Sequence, residues 1–218
     1  MENIDWKNLP FGYIRTDYNI RCFYRDGQWG DLEVSTSEYI DVHIAATGLH
    51  YGQEAFEGLK AYMGRDGKIR LFRWEENAKR LLFSADGIKM AGLPVEKFRE
   101  AVFRAVILNK RFIPPYGSGA SLYIRPLLFG SGAEVGVKPS REYTFIVFVT
   151  PVGPYFKGGI KPVDMLICRE FDRAAPRGTG IFKVGGNYAA SLRAGMAAKE
   201  GGFASAIFLD AREKKFID

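Results

Sequence analysis

The chain has 218 residues, 47% of them hydrophobic and 26% charged, the balance of a globular protein able to bury a core. No apolar run approaches the ~18–20 residues of a membrane span, so a membrane protein of the helical kind is not expected. The net charge of +6 comes from scattered Lys and Arg, the densest cluster being Arg212, Lys214 and Lys215; it points to a solvated surface or to sites for small anionic ligands, and not to nucleic acid.

In chain order, Leu59–Met63 and Ile69–Arg73 are short apolar runs flanking Gly64-Arg65-Asp66-Gly67, a pattern that predicts a hairpin. Ala78, Leu81, Leu82, Ala85 and Ile88 then recur at helical spacing, with Glu75 and Glu76 at the end where a helix dipole favours acids. A second helix is expected to open at Pro94 and to carry Phe98, Val102, Ala105, Val106 and Asn109 along one face, ending before Pro114-Pro115. Ser121–Phe129 and Glu142–Thr150 read as strands, and the nearly continuous apolar run of the second suits a central one. Pro151, Gly153, Pro154, Gly158, Gly159 and Pro162 follow within a dozen residues. They predict a linker over 151–162 between a lobe of residues 1–150 and a second of 163–218. In the second lobe Val163–Phe171 reads as a strand and Asn187–Glu200 as an Ala-rich helix stopped by Gly201-Gly202. Ala204–Asp210 and Phe216–Asp218 read as a hairpin whose last strand lacks a partner, so the chain is expected to be a truncated part of a longer one.

The segment richest in chemistry is Arg177-Gly-Thr-Gly-Ile-Phe-Lys183-Val-Gly-Gly-Asn-Tyr188. Phe182 and Val184 flank the lysine and would desolvate its amine toward the neutral, nucleophilic form. Gly185-Gly186 would let backbone approach a flat ring, and the Tyr188 hydroxyl lies close by in sequence to bond an oxygen on it. On its own the pattern also suits a solvated turn. A phosphate loop is poorly supported: Gly178-Thr-Gly180 and Gly130-Ser-Gly132 each lack the third glycine in register, and no G-x-x-x-x-G-K-[ST] occurs. The cysteines, Cys22 and Cys168, are too far apart for a metal or redox motif, and the N-terminus lacks the order of a secretory signal, so a reducing cytoplasm is expected. His43 and His50 are the only histidines; His50 has no acidic or cysteine cluster around it and reads as structural, and no metal site is expected.

The Lys183-Val-Gly-Gly-Asn-Tyr-Ala segment resembles the lysine motif of the branched-chain amino-acid aminotransferases, a family of fold-type IV pyridoxal-phosphate enzymes. Other segments match in the same order: Leu49-His-Tyr-Gly-Gln-Glu-Ala-Phe-Glu-Gly-Leu-Lys-Ala-Tyr62; Ile69-Arg-Leu-Phe-Arg73 with the following Arg80-Leu81; Ser121-Leu-Tyr-Ile-Arg-Pro126; and Pro151-Val-Gly-Pro-Tyr-Phe156. The resemblance runs from about Pro10 to the last residue. It implies an α+β fold of two lobes, an N-terminal α/β sandwich and the first part of a β-barrel-like C-terminal lobe.

It further implies pyridoxal 5′-phosphate held as a Schiff base on Lys183, which then also moves the substrate's Cα proton. By the same resemblance Arg80 binds the phosphate, a role suited to a planar cation, and Tyr188 binds the ring oxygen. Phe11, Tyr51, Phe56, Tyr123 and Tyr155 would line the substrate pocket, and Arg173 would lie near the phosphate. Arg125, a charge inside an apolar strand, would hold a dicarboxylate side chain from the neighbouring subunit of a homodimer. Leucine, isoleucine and valine would exchange amino groups with 2-oxoglutarate. The family's pyridinium partner and later phosphate loops lie beyond Asp218, so the 218 residues alone are expected to be inactive. Alternatives on the same fold are a D-amino-acid aminotransferase, an aminodeoxychorismate lyase, or a non-catalytic binding protein.

Overall fold

The computed structural model describes residues 4–154 and 161–218. The chain divides into two compact units, Met1–Lys157 and Gly158–Asp218. The first is built on an antiparallel sheet of eight strands: β1 (Asn19–Arg25), β2 (Gln28–Trp29), β3 (Glu33–Ser35), β4 (Glu54–Phe56), β5 (Leu59–Met63), β6 (Ile69–Leu71), β7 (Ser121–Gly130) and β8 (Tyr143–Val152). Neighbours follow the order β2-β1-β8-β7-β5-β6, with β3 beside β1 and β4 beside β7.

The pleat of β7 sorts its side chains by period two. Leu122, Ile124 and Leu128 are fully buried, while Tyr123, Arg125 and Leu127 between them are half-buried on the opposite face. Strand β8 lies between β1 and β7, with ten residues paired to β7 from Ser121↔Val152 to Gly130↔Tyr143. Burial on both edges and on its helix-facing side explains the apolar run that marked it as central. Strand β8 continues two residues past the expected end, through Pro151 and Val152. Its ladder to β1 stops at Ile20↔Val147, so Pro151, which has no N–H to donate, sits where only β7 pairs with the strand.

Helices α2 (Trp74–Gly87) and α3 (Val95–Leu108) lie close to their expected positions, and the β5–β6 hairpin closes through Met63↔Ile69. Helix α3 buries Phe98, Ala101, Val102, Ala105 and Val106, with Phe98 tilted against Phe145 of β8 at 6.2 Å. A short α1 (Thr47–Tyr51) ends at Gly52 in the left-handed region, φ 60°.

Asn109 does not continue the apolar face of α3; it stands at the C-terminal cap, fully buried. Its Oδ1 accepts from the N–H groups of Asp17 at 3.0 Å and Tyr18 at 3.1 Å, and its Nδ2 donates to the carbonyls of Tyr18 at 2.9 Å and Ala105 at 2.8 Å. One amide thus fastens the end of the helix to the segment entering β1.

The second unit contains β9 (Met165–Cys168), α4 (Gly185–Ala190), α5 (Leu192–Glu200) and β10 (Ser205–Phe208). One expectation is corrected here. The single helix over 187–200 is two helices broken at Ser191, whose hydroxyl donates to the Tyr188 carbonyl at 2.7 Å and competes with the helical ladder. The terminal hairpin closes through one antiparallel bridge, Leu209↔Ile217, in which the Asp210 N–H donates to the Phe216 carbonyl at 2.8 Å and the Asp218 N–H to the Phe208 carbonyl at 3.0 Å. Strand β10 also pairs in parallel with β9. The Asp210 carboxylate gathers the N–H groups of Phe216, Glu213 and Lys215, which hold its pKa down at about 2.

Asn109→Ala should destabilise the full-length protein by about 2–3 kcal/mol, since it strips partners from several buried backbone groups at once. A urea-denaturation midpoint unchanged from wild type would show that water replaces the amide without cost.

Candidate active site

On the face of the sheet away from α3, the alternation of β7 puts Tyr123 and Arg125 side by side. The Arg125 guanidinium donates to the Tyr123 hydroxyl from Nη2 at 3.1 Å and from Nε at 3.3 Å. It lies 5.0 Å from the centre of the Phe56 ring and 5.3 Å from that of Tyr123, and Phe11 meets Tyr123 edge to face at 5.7 Å. Phe11, Phe56, Tyr123 and Arg125 are therefore one cluster. Gly58 belongs to its construction: a Cβ there would come 2.3 Å from the Tyr123 hydroxyl. Among the described residues Arg125 has no carboxylate partner, so its charge is held by aromatic faces and a phenol.

Arg80 is in a different setting. Its Nε and Nη2 donate to the two oxygens of Glu57 at 2.6 and 2.7 Å, a bidentate clamp, and Asn77 adds a third donor to the same carboxylate at 2.8 Å. Glu57 is wholly buried, whereas half of the Arg80 side chain is exposed. The carboxylate locks one edge of the guanidinium and so fixes the direction of the other. Tyr51 lies elsewhere in the first unit, its hydroxyl bonded to the Val135 carbonyl. His50 bonds the Ile44 carbonyl at 2.6 Å. Tyr155 lies outside the described residues.

In the second unit Lys183 and Tyr188 are brought together: Nζ donates to the phenol oxygen at 2.6 Å and lies 4.6 Å from the ring centre. Val184, the residue before α4, is buried and anchors the chain beside the lysine. Gly185 and Gly186 form the first turn of α4, and a Cβ on Gly186 would meet open space. Close backbone packing within the protein therefore does not explain that glycine. Arg173 pairs with Asp218 at 2.7 Å.

Among the described residues no group of His, Cys, Asp and Glu side chains is arranged to hold a metal ion, and no helix is long and apolar enough to cross a membrane.

No protein-family model matches the chain. A branched-chain-amino-acid aminotransferase of Haemophilus influenzae is 48% identical over 223 aligned residues, an alignment covering 100% of this chain and 65% of that protein. One of Helicobacter pylori is 49% identical over 96% of this chain and 62% of its own length. Through nearly its whole length the chain is thus similar to branched-chain-amino-acid aminotransferases. Solved structures agree. The Escherichia coli branched-chain amino acid aminotransferase superposes with a TM-score of 0.71 at 28% identity, over 90% of this chain and 60% of that one. A second branched-chain amino acid aminotransferase, solved with pyridoxamine 5′-phosphate, gives 0.71 at 26% identity, over 94% and 62%. The chain thus spans somewhat under two thirds of the length of these branched-chain aminotransferases.

Sequence reasoning passed over Glu57, Asn77, Thr179 and Asn187. A signal existed for the first: an acid between Phe56 and Gly58, among short apolar strands, raises the same question of a partner as Arg125 does. The amides carried no such signal, because Asn at a helix start is common.

The burial asymmetry of the Arg80–Glu57 pair predicts unequal mutants. Arg80→Ala strands a buried carboxylate and should cost about 2–3 kcal/mol, whereas Glu57→Gln leaves a cation that already reaches water and should cost less. Urea denaturation of both full-length variants tests the order, and a larger loss for Glu57→Gln would overturn it.

Proposed function

We propose that the chain carries part of a transaminase that moves amino groups between leucine, isoleucine or valine and 2-oxoglutarate, with pyridoxal 5′-phosphate held covalently by Lys183. The observation that carries this reading is the 2.6 Å contact of Lys183 with Tyr188, in a chain 48% identical to a branched-chain aminotransferase. The family structures solved with pyridoxamine 5′-phosphate and with a phosphopyridoxyl-glutamate support the cofactor. The comparisons favour none of the alternative activities on this fold.

The residues present fit the cofactor. When bound, pyridoxal phosphate supplies a carbonyl that condenses with amines and a ring that withdraws electrons from the substrate carbon. Lys183 supplies the amine, the Tyr188 hydroxyl orients it through the hydrogen bond from Nζ, and the same hydroxyl is assigned to the ring oxygen. When not bonded to the cofactor, the same Nζ would serve as the base that moves the proton at the substrate Cα. Arg80, clamped on one edge by Glu57, is assigned to the phosphate. Residues 1–150 form the substrate side and the dimer contacts, and 163–218 the first part of the cofactor side.

Arg125 is assigned to the second carboxylate of glutamate or 2-oxoglutarate. A half-buried cation held by aromatic groups, with no carboxylate partner among the described residues, suits that task, because the pocket must accept an apolar side chain in the other half-reaction. Phe11, Phe56 and Tyr123 are assigned to the apolar part, and Arg125 to the site of the neighbouring subunit in a homodimer.

Borohydride reduction of the full-length holoenzyme, followed by digestion and mass spectrometry, should place the pyridoxyl group on Lys183; an adduct on another lysine would remove the assignment. Arg125→Ala should lower kcat/KM for 2-oxoglutarate roughly 10- to 150-fold more than for leucine, the effect of losing about 1.5–3 kcal/mol of charge-assisted bonding. Equal losses for the two substrates would make Arg125 a structural residue.

A further inference from the structure

We propose that Asn187, together with Thr179, is a positioning residue that sets the Lys183 amine against the Tyr188 phenol. The inference rests on the reading that Lys183 holds the cofactor, and it concerns how the protein itself aims that side chain.

Lys183 lies outside the regular part of the second unit. Helix α4 begins at Gly185, and Val184 before it is extended, with φ −121° and ψ 150°, so the helical ladder does not hold the lysine. Helix α4 has only six residues, too few to persist without side-chain or tertiary support. Something else must fix the geometry.

Asn187 supplies it. Buried in the first turn of α4, it donates both amide hydrogens, to the Thr179 carbonyl at 2.8 Å and to the Phe182 carbonyl at 2.8 Å. Its Oδ1 accepts the Thr179 hydroxyl at 2.9 Å. The Phe182 N–H returns to the Thr179 carbonyl at 3.0 Å, so residues 179–182 form a closed turn, and Asn187 grips both ends of it. The turn has little room to shift: a Cβ on Gly180 would lie 2.3 Å from that of Ala174.

Sequence adjacency converts this brace into aim. Phe182 immediately precedes the amine-bearing residue and Asn187 immediately precedes the phenol-bearing one. Joining residues 182 and 187 fixes the two backbone points from which Lys183 and Tyr188 project. Their 2.6 Å contact is then set by a short, closed path and not by two independent flexible chains. An amide is required at this position, because a carboxylate of the same shape would face two carbonyl oxygens with no hydrogen to offer.

The test uses full-length holoenzyme with Asn187→Asp, Thr179→Val, Thr179→Ser and, as reference, Lys183→Ala. Misplacement of a catalytic group by about 1 Å costs up to a hundredfold, so Asn187→Asp should lower kcat about ten- to a hundredfold with KM for leucine within about twofold. Thr179→Val should fall between that variant and wild type, and Thr179→Ser, which keeps the hydroxyl, should restore the wild-type rate. In the protein without cofactor, hydrogen exchange over residues 179–184 should accelerate in Asn187→Asp while Leu192–Glu200 exchanges as in wild type. A wild-type kcat in Asn187→Asp, with Lys183→Ala inactive, would overturn the inference and leave the role of Lys183 standing. Uniformly faster exchange through α5 with kcat and KM lost together would also overturn it, making Asn187 a residue of general stability. Retention of transaminase activity in Lys183→Ala would remove the reading on which the inference rests.

Discussion

The ten-residue ladder between β7 and β8 constrains the rest of the first unit, because pairing fixes which way each side chain points. A strand alternates faces, so once Leu122, Ile124 and Leu128 are committed to the buried side, Tyr123 and Arg125 must project from the other. The same ladder sets Arg125 opposite Phe148 and Tyr123 opposite Thr150. A slip of one residue would put a guanidinium against the apolar face of α3 and expel an isoleucine. The cost of both errors together specifies the register, and with it the cluster of Phe11, Phe56, Tyr123 and Arg125.

Buried polar side chains then join what the backbone ladders leave loose. Asn109 ties the end of α3 to the approach to β1. Gln53 collects the Thr47 hydroxyl and the Ser140 N–H on its oxygen and donates to the carbonyls of Ile88 and Lys89. Asn187 closes the turn before Lys183, and Glu57 seats Arg80. Each ends in several satisfied bonds, and among the described residues no fully buried side-chain nitrogen or oxygen lacks a partner. An amide that both donates and accepts can cross-link loops whose own carbonyl and N–H groups would otherwise be stranded. The expected functional side chains are thus held at second hand.

The two cations illustrate how burial assigns different chemistry to one residue type. Arg80 is neutralised by a wholly buried carboxylate and gains a fixed orientation at the cost of part of its field. Arg125 keeps its full charge, because aromatic rings and a phenol stabilise a guanidinium without cancelling it. A clamped cation suits a ligand that stays in place, and an uncancelled one suits an anion that must come and go.

Helical spacing located α2 and α3, apolar runs located β7 and β8, and the Gly64-Arg65-Asp66-Gly67 turn located the β5–β6 hairpin. The motif around Lys183 placed the lysine and tyrosine five positions apart, and the resemblance it carried named the family that the comparisons bear out. Periodicity failed where a side chain overrode it: Ser191 splits the last helix. Nor did it show Glu57 beneath Arg80 or Asn187 beneath Lys183. Those partnerships join residues 23 apart across two elements, or a helix to the turn before it. A linear pattern records which face a residue turns inward. Which polar group it meets there is decided by the packing of elements that the pattern treats separately.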